Sequence, residues 1–80
     1  MKNPRLIEVH WKDSAFHRGW SSAATKRSEM GVALCRTAGY LVESTKECVK
    51  VAHSVDHENE SFADGIAIPR VAITKIRRLQ

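Results

Sequence analysis

The chain has 80 residues, a formal net charge of +4 and a hydrophobic fraction of 42%. That length holds a single core, so one domain over residues 1–80 is expected, and a composition near the globular average excludes a wholly disordered chain. No run approaches the roughly 18 consecutive apolar residues of a membrane span, and the opening residues lead into no apolar signal core, so the expectation is a cytoplasmic protein with no membrane partner.

Residues 5–11 alternate, with Ile7, Val9 and Trp11 on one face and Leu6, Glu8 and His10 on the other, the period of a half-buried strand. From residue 13 to 31 the alternation stops. Serines, alanines and Gly19 are interspersed there with Phe16 and Trp20, and residues 22–30 have room for a short helix. So long a connection in so small a domain points to function, partial helicity or mobility.

Residues 32–42 read as a second strand, with Gly39 marking a bend or bulge. Residues 43–46 read as a turn, and residues 48–54 return as a third strand to complete a hairpin. Residues 55–64 read as an acidic loop that carries Asp56, Glu58, Glu60 and Asp64 with no Lys or Arg, leaving the rest of the chain distinctly basic. Residues 65–68 form a short fourth strand, stopped by Pro69 because proline cannot donate to a ladder. Residues 69–72 then make a tight turn, one turn of 3₁₀ helix, and residues 73–79 close the chain as a fifth strand. The predicted core is Val9, Val49, Val51, Ile66, Ile68, Ile73 and Ile76, with Trp11 on the same apolar face.

This order describes a mainly β fold, a small five-stranded antiparallel barrel, because closure removes exposed edges and lets one thin core serve every strand. An α+β sheet with one helix over residues 22–30 is the alternative. The strand order resembles the SH3-like and Sm-like small barrels, in which a one-turn 3₁₀ segment joins the last two strands; residues 66–73 take that place. Trp11-Lys12-Asp13-Ser14, Gly19-Trp20, Gly39-Tyr40-Leu41-Val42-Glu43, Ile68-Pro69 and Ala72-Ile73, with Ile76 and Leu79, also resemble the pattern of short proteins encoded by phages and prophages. That resemblance implies an accessory, host-takeover or anti-defence role and transfers no catalytic residue.

Cys35 and Cys48 sit in apolar runs, match no zinc-ligand spacing and are expected as unbridged, buried small hydrophobes. His53 and His57 are four apart beside Asp56, Glu58 and Glu60, but they fall at a strand end and in a loop and fit no calcium-loop pattern, so neither metal nor cofactor is expected. His10, Asp13, Ser14 and His17 include the residue types of a serine hydrolase. A triad is defined by geometry, which closeness in sequence does not supply, so the expectation is a protein without enzymatic activity.

Trp20 follows Gly19, with Arg18 and the Lys26-Arg27 pair close in sequence. That grouping combines a flat face for stacking a base with cations for phosphate; the competing reading folds Trp20 back as a cap on the barrel end. Arg70, Arg77 and Arg78, with Lys75, gather positive charge near the C-terminal end, as an anion site or as the charged guard of an edge strand. A thin core and segregated charge point to a homo-oligomer. The functional expectation is therefore a binding protein that engages an anionic ligand such as nucleic acid or a nucleotide signal. The alternative is a protein-interaction module that blocks a host protein through the Trp20 connection or the acidic loop.

Overall fold

A computed structural model describes residues 3–80. Its elements in chain order are β1 (Leu6–Asp13), α1 (Ala23–Glu29), β2 (Ala33–Ser44), β3 (Cys48–Asp56), β4 (Ser61–Pro69), a 3₁₀ turn (Arg70–Ala72) and β5 (Ile73–Arg78). The five strands form one antiparallel sheet in the order β4-β3-β2-β1-β5. The fold is thus mainly β with one short helix. β4 pairs only with β3 and β5 only with β1, so the sheet is not closed into a barrel and keeps two edges. No helix among the described residues is long and apolar enough to cross a membrane.

The alternation read in β1 sets the core. Ile7 and Val9 are buried and meet Val49 and Val51 of β3 and Ile68 of β4, with Trp11, Leu41 and Ile73 packed against the cluster. The half-buried Trp11 satisfies its indole by donating from Nε1 to Thr37 Oγ1 at 2.9 Å on the neighbouring strand. Ile66 and Ile76 do not join this core: they are 39% and 41% exposed. Both lie on edge strands, yet Ile68, on the same strand β4 as Ile66, is fully buried, so what decides is whether a residue meets the core cluster, which alternation alone does not reveal. Cys35 and Cys48 are free and half-buried rather than buried.

β2 runs for twelve residues because it serves two partners, β1 along its first part and β3 along its last. Its bulge lies between Leu41 and Glu43, not at Gly39. Gly39 has a different duty. It is buried where β3 crosses close to β2, and a Cβ there would lie 2.5 Å from the Ala52 carbonyl oxygen.

The acidic loop is shorter than its composition suggests. β3 continues to Asp56 and β4 begins at Ser61, so only residues 57–60 remain as the turn, and Val55 pairs with Phe62 inside the ladder. The Asp56 carboxylate makes this possible by accepting from the backbone N–H groups of Glu58 and Asn59 at 3.1 and 3.3 Å and from Asn59 Nδ2 at 2.8 Å. Glu60 completes the reversal in the left-handed region, at φ 49°. Pairing of β2 with β3 ends at Tyr40 and Ala52, so the end of the β3–β4 hairpin stands clear of β2 and carries the acidic turn away from it.

Candidate functional site

The connection between β1 and β2 is organised from within. Ser22 caps α1, its Oγ accepting from the Thr25 N–H at 3.1 Å. Lys26 reaches back from the helix and donates from Nζ to the carbonyl oxygens of Gly19 and His17 at 2.8 and 3.3 Å. Gly19 has φ 77°, a left-handed turn that suits glycine, and His17 Nε2 accepts from the Gly31 N–H at 3.4 Å. The loop is therefore folded around Lys26, whose charge is spent largely on backbone oxygens.

That folding leaves Trp20 outside. Trp20 is fully exposed and Phe16 nearly so, and with His17, Gly19, Ser21 and Lys26 they line an open hollow of about 500 Å³. Trp20 does not cap the sheet. The helix buries none of its residues, and Arg18 and Arg27 are exposed as well.

The C-terminal cations do not gather into one site. Arg70 clamps the 3₁₀ turn to the β2–β3 turn: its backbone N–H donates to the Glu47 carbonyl at 2.8 Å, its Nε to the Thr45 carbonyl at 3.0 Å, and its Nη2 to Ser44 Oγ. Arg78 donates from Nε to the Gln80 backbone oxygen at 2.6 Å and lies with Arg5 at the rim of a hollow of about 220 Å³ whose wall includes Ile7, Leu41, Val49 and Ile76. Arg77, its neighbour in sequence, faces the opposite side of the sheet, with Nε 3.6 Å from Glu8 Oε1. Adjacent residues of a strand point to opposite faces, which is why Arg77 and Arg78 part.

That opposite face collects residues that sequence reasoning missed as a group. Pairing sets Lys75 of β5 and Arg36 of β2 on either side of His10 of β1, Arg77 beside Glu8, and Lys12 beside Leu34. Glu8 accepts from His10 Nε2 at 2.6 Å. The Glu8 carboxyl is held below the ordinary carboxylate range by that hydrogen bond first, against the opposing effect of desolvation, and then by the charges of Arg77, His10 and Arg36. Alternation in β1 already placed Glu8 and His10 on one face; adding Arg36 and Lys75 required the cross-strand register.

The other candidates are dispersed. His10 is engaged by Glu8, His17 by Gly31, and Asp13 Oδ1 accepts from the Ser14 backbone N–H at 2.8 Å, so the four residues of the hydrolase reading are not joined as a triad. His53 Nδ1 lies 2.9 Å from Ser54 Oγ, and among the described residues no three His, Cys, Asp or Glu side chains converge as a metal site. Comparisons with protein-family models, curated proteins and solved structures find no match to this chain.

Proposed function

We propose that this chain is a non-enzymatic binding protein that engages an anionic ligand, nucleic acid or a nucleotide signal, and works as a homo-oligomer in a phage-type accessory or anti-defence role. The observation that carries the reading is the exposure of Trp20, held out on a connection whose backbone is braced by Lys26. An indole without a packing role is costly to leave in water, and a stacked base covers it. Arg18 and Arg27 supply cations on the same connection. The SH3-like or Sm-like assignment of the sheet belongs to the same proposal and rests on the position of β5 beside β1 and on the 3₁₀ turn that precedes it.

Trp20→Ala should weaken binding of a labelled single-stranded oligonucleotide by roughly 5- to 150-fold, since one stacked base contributes about 1–3 kcal/mol. Unchanged binding would remove Trp20 from the site. A second reading, a module that blocks a host protein, is favoured by the joint exposure of Phe16 and Trp20, two large aromatics around one hollow. Salt separates the two: binding through phosphate weakens steeply as salt rises, and an interface centred on buried aromatics does not.

A further inference from the structure

We propose that the outer face of β5, β1 and β2 is a track for single-stranded nucleic acid, with one unstacked base seated in the hollow beside Leu34. This inference rests on the anionic-ligand reading above and assigns that ligand a second surface, built from different residues. Lys75, His10 and Arg36 form one row across three adjacent strands. Neighbouring strands lie about 4.8 Å apart, so the row spans roughly 10 Å. Arg77 and Lys12 extend the charge one pleat to either side, at a repeat of about 6.8 Å along a strand.

Two physical arguments distinguish this face from a merely solvated one. The one acid on these positions, Glu8, is engaged by His10 and Arg77, while Lys12, Arg36 and Lys75 enter no ion pair among the described residues. A guard against edge-to-edge pairing accounts for Lys75 and Arg77 on the edge strand β5, but not for Arg36, because β2 lies inside the sheet. An anionic strand laid across the row supplies the counter-charge that Arg36 and Lys75 lack.

The class of nucleic acid follows from the relief of the face. A hollow of about 200 Å³ opens between His10, Leu34, Arg36 and Thr74, with Trp11 and Cys35 at its wall, and Leu34 is 81% exposed beside it. The exposed Leu34 side chain beside Arg36 suits the face of a planar base whose phosphates lie on the row. A base inside a duplex is stacked and paired and cannot enter, which selects a single strand.

The test is titration of a labelled 12-nucleotide single strand, and of the matching duplex, against the wild type, the double variant Arg36→Gln with Lys75→Gln, Leu34→Asp, and Trp20→Ala. Arg36, Lys75 and Leu34 are exposed, so the folds should survive, and melting curves check this. The double variant is expected to bind more weakly and to flatten the slope of log affinity against log salt by about 0.7 for each phosphate it no longer neutralises. Leu34→Asp is expected to weaken the single strand, and the duplex is expected to bind less tightly than the single strand. If the wild type binds the strand and Trp20→Ala weakens it while the double variant keeps the wild-type slope, the track is overturned and the ligand reading stands. Equal affinity for duplex and single strand overturns the seated base. No binding of either at low salt overturns the ligand reading and the track together.

Discussion

Gly39 is the most crowded of the four glycines, where the Cβ of any other residue would meet Ala52 O at 2.5 Å and Val51 Cγ1 at 2.7 Å. Backbone cannot yield cheaply there, so Gly39→Ala should cost about 1–3 kcal/mol or more, read as a lowered urea midpoint; an unchanged midpoint would mean that β3 is free to lift away. Ile68→Ala should cost about 2–5 kcal/mol because Ile68 is fully buried, and Ile76→Ala distinctly less because its side chain is partly in water already. Equal losses would contradict the division between core cluster and periphery. These two isoleucines look alike in the sequence, each an apolar residue in a short strand. Periodicity gave the inward face of Ile7, Val9 and Trp11 correctly, but Ile68 and Ile76 both lie on edge strands and differ only in whether the assembled sheet brings them against the core cluster.

Among the elements, α1 and the β3–β4 turn respond differently to sequence change. Ser22→Ala removes the cap of α1 and should destabilise that helix by about 0.5–2 kcal/mol. Because α1 buries no residue, amide exchange over residues 23–29 should rise while the global melting temperature barely moves. A large drop in melting temperature would show that the connection supports the core. At the β3–β4 turn, Asp56 is held below its ordinary pKa by the side-chain and backbone hydrogen bonds from Asn59, against desolvation. A depressed carboxylate contributes its stability above the unfolded-state value and loses it as pH falls through the folded one, so the turn should loosen progressively below about pH 4. Amide exchange at residues 57–60 should show that dependence in the wild type, and Asp56→Asn should flatten it; an equal pH response in both would assign it to another group. The same Asp56 and Asn59 explain why composition overstates the loop: four acids in ten residues suggest solvated coil, while an aspartate that closes a four-residue turn lets Val55 and Phe62 pair in the ladder.

Taken whole, the molecule measures 56 × 21 × 21 Å and keeps its charge segregated: an acidic turn at the end of the β3–β4 hairpin, a cationic outer face on β5, β1 and β2, and an aromatic connection. A core of this size with two unpaired edges predicts self-association, and sedimentation at micromolar concentration should give a mass above the monomer's 9.0 kDa. A fully folded monomer would contradict it. The exposure of Arg18, Trp20 and Arg27 on one connection agrees with a grouping visible in the sequence because they lie close in the chain, whereas the turn of Lys26 back onto the Gly19 and His17 carbonyls was not visible there. The candidate site was illegible where register decides: Arg70 became a clamp, Arg77 and Arg78 parted across the sheet, and Arg36 joined Lys75 only through pairing with β1. Equilibrium binding of a labelled single-stranded oligonucleotide over a range of salt concentrations bears most directly on the central claim. An anion-binding protein should show log affinity falling linearly with log salt, by about 0.7 per phosphate neutralised. No binding at low salt, or an affinity indifferent to salt, would contradict the claim.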